Sequence, residues 1–167
     1  KAFIPYAPGD NGGAIGAALV IANKYKLKFE NLKNPYLGSS YEKNEISEIL
    51  DNGDYKEKIK YEFIDNNSDL YNKAAYLISN SQVIGWFQGK MEFGPRALGN
   101  RSILADPRNP KMREIINMKI KRRESFRPFA PSVLYEEQTD WFDGKFDGIY
   151  MSSLQDVKEN KKKIIPA

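Results

Sequence analysis

A loop rich in glycine constrains the fold of this chain more than any other feature of its sequence. Residues 89–99 contain three glycines and one proline, so neither a helix nor a regular strand is expected to run through them. The apolar run at residues 83–87 and the run at residues 102–105 predict short strands on either side. The sequence therefore predicts two strands joined by an irregular loop.

Predicted helices and strands alternate along the rest of the chain. Capping residues, apolar spacing and closing glycines or basic residues predict four helices, and an acidic segment beginning at Glu136 predicts the start of a fifth. The four helices are expected at residues 14–25, 42–50, 69–80 and 111–119, and further strands at residues 3–8, 58–64 and 129–134. Such alternation favours an α/β or α+β fold with a mixed sheet.

The composition excludes several kinds of chemistry. The 167 residues include no cysteine and no histidine, which excludes disulfides, thiolate metal sites and a histidine general base. Catalysis within this chain must therefore use carboxylates, lysines, arginines and backbone amides. No apolar run is long enough to cross a bilayer, and residues 1–10 do not resemble a signal peptide. We therefore expect a cytoplasmic protein that does not act at a membrane.

Positive charge is concentrated in one region of the sequence. Of the 26 lysines and arginines, 11 lie in residues 88–127, together with only four acidic residues. The rest of the chain carries a small excess of acid, although the whole chain has a net charge of +4. A regional excess of this kind indicates an anionic ligand bound at one place.

The first half of this region combines fixed charges with residues that shape the backbone. Its glycines allow tight turns in which backbone N–H groups converge, as in loops that hold phosphate. Arg96 and Arg101 offer planar donors for phosphate or carboxylate oxygens, and Lys90 adds a point charge. Ser102 supplies a hydroxyl, and Glu92 is suited either to orient an arginine or to bind an NH₂ group of a ligand. The pattern predicts an anion site.

The second half, residues 117–132, combines arginines with aromatic residues and prolines. Phe126, Phe129 and the two prolines indicate a rigid turn with a pocket-lining role for its arginines. The same pattern is also compatible with solvated or salt-bridged arginines around an ordinary turn. Both interpretations stay open from the residues alone, which do not name a reaction.

These two segments resemble the signatures of the nodulation-type and antibiotic-tailoring O-carbamoyltransferases. Residues 90–108 have the sequence KMEFGPRALGNRSILADPR, which is similar to the central signature of that family. Residues 120–131, with the sequence IKRRESFRPFAP, resemble its second signature. Shorter similarities occur at residues 36–38, 150–151 and 165–167, so the resemblance covers essentially the whole chain. Motifs of this length are specific.

The resemblance implies a two-domain enzyme. Residues 1–30 would be the C-terminal remnant of an actin-like ATPase domain that holds the nucleotide, a metal and the acceptor. Residues 31–167 would form a carbamoyltransferase C-terminal domain that resembles the threonylcarbamoyl-adenylate synthase fold and binds carbamoyl phosphate. In such enzymes carbamoyl phosphate is converted with ATP into carbamoyl-adenylate, and the carbamoyl group then passes to an acceptor hydroxyl.

The same resemblance assigns roles to individual residues. Asp10 would be a ligand of a divalent metal, either iron or magnesium, although the residues alone favour capping of the following helix as its role. The residues expected to approach ATP are Gly9, Asn11, Gly12 and Gly13. The residues expected to bind carbamoyl phosphate and support catalysis are Lys90, Arg96, Arg101, Ser102, Lys121, Arg123 and Arg127. Arg122 occupies a variable position of the motif and is not assigned.

The sequence also departs from the family. Most of the ATPase-like domain, with its metal-binding histidines, is absent, as is a histidine-bearing segment expected after Ala167. We therefore expect that the chain needs the N-terminal ATPase-like domain as its partner and has no transferase activity alone. The alternatives are a basic RNA-binding module and the tRNA-modifying carbamoyl-adenylate synthase itself. RNA requires an extended basic face, whereas carbamoyl phosphate requires a small site with converging arginines.

Overall fold

The computed structural model describes residues 4–28, 34–54, 56–144 and 148–167. The chain forms two compact units. Unit 1 comprises residues 1–65 and 86–102, and unit 2 comprises residues 66–85 and 103–167. The predicted domain boundary between residues 30 and 31 stays a prediction.

Two helices belong to unit 1. Helix α1 (Asp10–Lys24) has Gly9 at its N-cap, an acidic residue in its first turn and a basic residue in its last turn, which suits the helix dipole at both ends. Helix α2 (Lys43–Asn52) begins with a capping box, in which the backbone N–H of Glu42 donates to the Glu45 carboxylate over 2.7 Å. Helix α1 therefore begins at the glycine-rich opening segment that was assigned to the nucleotide.

Backbone hydrogen bonds tie the segment at residues 35–39 to residues 91–93 within unit 1. The N–H of Gly38 donates to the carbonyl of Met91, and the N–H of Met91 donates to the carbonyl of Ser39, both over 2.9 Å. The N–H of Phe93 donates to the carbonyl of Pro35 over 2.7 Å. A Cβ at Gly38 would lie 2.8 Å from the Cβ of Met91, so this close approach requires glycine.

A two-stranded sheet frames the glycine-rich loop. Strand β1 (Ile84–Phe87) pairs with strand β2 (Arg101–Leu104). Just past this pair, the N–H of Gln88 donates to the carbonyl of Asn100 over 3.1 Å. Residues 89–99 are thus a loop closed at its base by backbone hydrogen bonds.

Unit 2 contains short elements around a small buried cluster. Helix α3 (Asn67–Ser79) is capped by Asn66, whose side chain accepts from the N–H of Ser68 over 2.9 Å. Met112 and Ile116 are buried apolar residues of this unit, and Asp106 and Asn117 are buried polar ones. In chain order, the remaining elements are helix α4 (Met112–Ile115), a π-helical turn (Ile116–Lys121), a 3₁₀ turn (Tyr135–Glu137), helix α5 (Gln138–Trp141), antiparallel strands β3 (Phe142–Asp143) and β4 (Asp156–Val157), and helix α6 (Glu159–Lys162).

The mixed α/β class is confirmed. The two strands that flank the loop and the first three predicted helices are also confirmed, and their observed ends differ from the predicted ends by a few residues. The described residues nevertheless form two separate two-stranded sheets in place of one mixed sheet. The likeness to a synthase fold and to an ATPase remnant stays a prediction.

Several predicted elements are wrong. Residues 58–64 and 129–134 form no strand, and neither do residues 4–8, while Phe3 lies outside the described residues. Pro131 interrupts the run at residues 129–134 and removes an N–H that a strand ladder needs. In the run at residues 58–64, Tyr61 and Phe63 pack edge to face on each other without any neighbouring strand. Alternating apolar residues do not make a strand stable without a partner strand.

The helix predicted at residues 111–119 is α-helical only from Met112 to Ile115 and continues as the π-helical turn. The acidic start at Glu136 falls in the 3₁₀ turn that precedes α5. No helix among the described residues combines the length and the apolar character that a bilayer crossing requires.

Candidate functional site

Glycines fix the path of the first basic loop, which we define as residues 88–102. Gly89, Gly94 and Gly99 have φ angles of 54°, 122° and 108°. These angles lie in a region that side chains with a Cβ rarely adopt, so glycine lets the chain reverse at each point without strain. A Cβ at Gly94 would also lie 3.0 Å from the carbonyl oxygen of Tyr6, a residue of the buried core of unit 1.

The carboxylate of Glu92 organises this loop from inside. Its side chain has no exposed surface. Its Oε1 accepts from the backbone N–H groups of Leu98 and Asn100, each over 2.7 Å, and from that of Arg101 over 3.1 Å. A single buried oxygen therefore gathers three backbone donors from the end of the loop, which holds that end in one conformation.

Arg101 completes the environment of Glu92. Its Nε donates to Oε2 of Glu92 over 3.1 Å, and its Nη2 donates to the backbone carbonyl of Glu92 over 2.8 Å. The Arg101 side chain is 41% exposed, so part of the guanidinium faces solvent. Of the two roles predicted for Glu92, the structure shows the first, the orientation of an arginine.

Hydrogen bonding determines the ionisation of Glu92. Burial alone would raise the pKa of this carboxyl, but hydrogen bonds from the backbone N–H groups of Leu98 and Asn100 and from Arg101 lower the pKa from its ordinary value of 4.5 to about 2. The hydroxyl of Tyr36 donates to the carbonyl of Leu98 over 2.9 Å. Burial, and then the negative charge of Glu92, raise the pKa of Tyr36. Glu92 is therefore a carboxylate at neutral pH.

The backbone N–H groups of the loop converge as the sequence predicts, but they converge on the carboxylate of Glu92 and not on an external ligand. The N–H groups of Leu98, Asn100 and Arg101 are taken by Glu92, and the N–H of Gly99 donates to Oγ of Ser102 over 3.2 Å. Ser102 thus supports the loop from the start of β2. An external anion at this loop would meet side-chain cations, since these four amides are already engaged.

Lys90 and Arg96 are the cations of the loop that remain available. Both are exposed, and within the described ranges no carboxylate pairs with either. The backbone at Lys90 is held in place, because Nδ2 of Asn100 donates to its carbonyl over 2.7 Å. Two unpaired cations on a loop of fixed shape can bind an anion without first breaking an internal ion pair.

The opening segment at the start of α1 lies beside the first basic loop within unit 1. A Cβ at Gly94 would be 3.6 Å from Nδ2 of Asn11. Gly12 is needed for internal packing, because its own Cβ would overlap the carbonyl oxygen of Ala7, and its N–H donates to Gly9 over 2.9 Å. A Cβ at Gly13 would meet nothing within 4 Å. Gly13 therefore leaves room for a ligand, whereas Gly12 already contacts protein.

Asp10 is the first residue of α1 and is exposed, while the cap position belongs to Gly9. Among the described residues, no group of three or more acidic side chains could hold a metal ion. A hard cation prefers several oxygen ligands, so the described residues do not fit a complete metal site. We assign no chemical step to a metal here.

The second basic loop, which we define as residues 117–132, begins within the π-helical turn. Arg122 at the end of this turn has a φ angle of 48°, so the chain reverses there into the loop. The Nε of Arg123 donates to Oδ1 of the buried Asn117 over 2.8 Å, and the guanidinium lies 4.9 Å from the ring centroid of Phe129. The Arg123 guanidinium is thus held at Nε by Asn117 and along one of its faces by the ring of Phe129.

The other two cations assigned to this loop are less restrained. The Nε of Arg127 is 3.4 Å from a carboxylate oxygen of Glu124, and more than half of each side chain is exposed. Lys121 is exposed at the end of the π-helical turn. Of the two interpretations left open by the sequence, Arg127 fits the solvated, salt-bridged one and Arg123 fits the rigid one.

The predicted site residues are divided between the units. Unit 1 contains Lys90, Arg96, Arg101 and Ser102, together with the residues assigned to ATP and metal, and unit 2 contains Lys121, Arg123 and Arg127. A single site formed by both loops therefore stays a prediction. Asn117 was not predicted as a site residue, and its position at the start of the second basic loop, just before the motif at residues 120–131, is the signal that the sequence offers.

Two loops that carry cations on a mixed α/β framework are typical of a protein that binds anionic ligands. A comparison with known families identifies the class. Residues 75–167, more than half of the chain, match the family model described as "Carbamoyltransferase C-terminus". The chain therefore belongs to the carbamoyltransferase family and falls in the C-terminal region of its members.

Individual relatives agree with this assignment. An uncharacterized protein of Synechocystis sp. is 45% identical over 94% of this chain and 26% of its own length. Nodulation protein NolO of Bradyrhizobium diazoefficiens is 38% identical over 99% of the chain and 30% of its own length. The 3'-hydroxymethylcephem-O-carbamoyltransferase of Amycolatopsis lactamdurans is 40% identical over 50% of the chain and 16% of its own length. The chain thus spans at most about a third of the length of these relatives.

Proposed function

We propose that this chain is the carbamoyl-phosphate-binding part of an O-carbamoyltransferase. The enzyme activates carbamoyl phosphate with ATP to carbamoyl-adenylate and transfers the carbamoyl group to a hydroxyl of a small-molecule or sugar acceptor. It acts in the cytoplasm, together with an N-terminal ATPase-like domain. Membership of the carbamoyltransferase family and the similarity to an enzyme that carbamoylates a cephem support this proposal.

One observation of the structure carries the proposal. The first basic loop has a rigid frame, set by Glu92 and three glycines, and it presents Lys90 and Arg96 without internal acidic partners among the described residues. A rigid frame lowers the entropic cost of holding a small dianion. In this proposal Lys90, Arg96 and the exposed part of Arg101 bind the phosphate oxygens.

The chemistry proposed for these residues is electrostatic. Activation of carbamoyl phosphate develops negative charge on departing phosphate groups, and fixed cations stabilise that charge. Ser102 keeps the loop in shape through Gly99. In this proposal the nucleotide approaches the open space at Gly13, in the same unit as Gly9 and Asn11. A divalent metal ion, if bound, would need ligands beyond Asp10.

The proposal is tested by following AMP and pyrophosphate formation from ATP in the protein at its full natural length. Pyrophosphate should form only when carbamoyl phosphate is present, whose own phosphate leaves as inorganic phosphate, and this step needs no known acceptor. AMP is released only when the carbamoyl group passes from the adenylate to an acceptor or to water. Arg96→Ala should lower the rate at subsaturating carbamoyl phosphate by about tenfold or more, because a charge-assisted contact is lost.

Lys43→Ala is the matched control. Lys43 is another surface lysine of unit 1, paired with Asp65 over 2.8 Å and far along the chain from the loop. Its replacement should leave the rate unchanged. Nucleotide turnover that does not depend on carbamoyl phosphate, or an Arg96→Ala variant as active as Lys43→Ala, would contradict the proposal.

A further inference from the structure

Asn117 is a buried side chain whose polar atoms are all used by the loop that follows it. It has no exposed surface. Its Nδ2 donates to the carbonyls of Ser125 and Arg127 over 3.1 and 2.9 Å, and its Oδ1 accepts from Nε of Arg123 over 2.8 Å. A buried amide with every group satisfied specifies one local conformation.

Asn117 also restrains the backbone of the turn. Its carbonyl accepts from the N–H of Arg123 over 3.0 Å and from the N–H of Arg122. The side chain and the main chain of one residue therefore fix both the start of the loop and the Arg123 side chain. Asn117 lies in the first turn of the π-helical segment, and such segments are frequent at functional sites.

Arg123 is consequently the most restrained cation of the second basic loop. With Nε bound to Asn117 and one face against Phe129, its two terminal amino groups are the donors left for a ligand. No carboxylate in the described part of the chain competes for them. By contrast, the pair of Arg127 with Glu124 is exposed on both sides and contributes little order.

We propose that Asn117 is a positioning residue that holds the Arg123 guanidinium in the orientation that binds a phosphate oxygen of carbamoyl phosphate. This inference rests on the proposed function. Asn117 does not touch the ligand and acts only through Arg123. Without the bond to Nε, the guanidinium keeps only its contact with the Phe129 ring and can turn on its flexible stem, and binding must then order it.

A double-mutant cycle in the full-length protein tests this inference, with calorimetric affinity for carbamoyl phosphate as the readout. Asn117→Ala should weaken binding by about tenfold when Arg123 is present. In an Arg123→Ala background the same change should weaken binding by less than about twofold, because the residue through which Asn117 acts is already gone. An equal loss in both backgrounds would mean a general structural role and would overturn the inference.

A second variant guards against misfolding of Asn117→Ala. Arg123→Lys keeps the positive charge and leaves the bonds from Asn117 to Ser125 and Arg127 intact, but it has no Nε–H for Asn117 to hold. It should bind about as weakly as Arg123→Ala, since charge without orientation is not enough. Wild-type affinity in Arg123→Lys would overturn the inference.

Asn109→Ala is the matched control within unit 2. The Asn109 side chain contacts the N–H of Lys111 and the hydroxyl of Ser81, and its replacement should leave affinity unchanged. A loss equal to that of Asn117→Ala would overturn the inference. If the wild-type protein does not bind carbamoyl phosphate, the proposed function fails and the positioning role fails with it. If the wild-type protein binds carbamoyl phosphate and Arg123→Ala binds it as tightly, Arg123 has no binding role and the inference fails without the proposed function. If Arg123→Ala weakens binding but Asn117→Ala does not, the positioning role alone fails.

Discussion

Replacing Glu92 by glutamine should lower the free energy of unfolding of unit 1 by about 3 kcal/mol. The pKa of Glu92 is lowered from 4.5 to about 2, a shift that corresponds to about 3 kcal/mol of stability at neutral pH. Glutamine can keep one oxygen for the N–H groups of Leu98 and Asn100. Its NH₂ group then faces Nε–H of Arg101, donor against donor, where Oε2 stood. We expect a loss of about 3 kcal/mol in the free energy of unfolding.

The stability difference between wild type and Glu92→Gln should depend on pH. Because the pKa is lowered in the folded state, the stabilisation is complete above pH 4.5 and is lost as pH falls towards 2. By pH 3 about 2 of the 3 kcal/mol should be gone. Urea unfolding of wild type and Glu92→Gln between pH 7 and pH 3 measures the difference at each pH. The gap between the two proteins should narrow across that range.

The control is Glu48→Gln, which changes an exposed acid of α2 in the same unit. It should alter stability by less than about 0.5 kcal/mol at every pH. A Glu92→Gln variant as stable as this control at pH 7 would refute a stabilising role of the Glu92 carboxylate. So would a large loss that stays constant from pH 7 to pH 3, because it would not come from the ionised carboxylate.

Three further predictions concern α1, the first basic loop and unit 2. Gly12→Ala should destabilise the protein by about 1–3 kcal/mol in urea unfolding, because its Cβ would overlap the carbonyl oxygen of Ala7. Gly13→Ala should stabilise the protein by up to about 1 kcal/mol in the same assay, because alanine favours a helix and its Cβ meets nothing within 4 Å. Equal effects of the two substitutions would contradict this. Arg96→Ala should leave the free energy of unfolding within about 0.5 kcal/mol of wild type, since its side chain is exposed, so a larger loss would contradict a binding role. Asp106→Asn should lower the stability near neutral pH and should lower it less in strong acid, because hydrogen bonds from Arg108 lower the pKa of the buried Asp106. An unchanged urea midpoint at pH 7 would refute this.

The local elements that depend on short-range pattern could be predicted from the sequence. Glycine and proline at residues 89–99 exclude regular structure whatever surrounds them, and the loop and its flanking strands are present. The helix at residues 69–80 was predicted from its cap and its apolar spacing, and it is α3. The run at residues 58–64 shows the limit, because strand pairing depends on a partner that the pattern does not reveal.

The candidate site was predictable in its residue types but not in its internal contacts. Clustered arginines and lysines pointed to an anion, and the cations of the first basic loop are exposed as a binding role requires. The sequence does not show which acid turns inward, so the capture of three backbone N–H groups by Glu92 could not be foreseen. Asn117 was missed for a similar reason: it is buried within a π-helical turn, which periodicity does not predict.

We propose that the first basic loop binds carbamoyl phosphate through exposed side-chain cations. Calorimetric titration of the full-length protein tests it most directly, with inorganic phosphate and a short RNA as competing ligands. Saturable binding of carbamoyl phosphate that is lost in Arg96→Ala and kept in Lys43→Ala is the predicted result. Absence of such binding, or equal affinity in wild type and Arg96→Ala, would contradict the account, and tight salt-sensitive binding of RNA in its place would assign the basic region to nucleic acid.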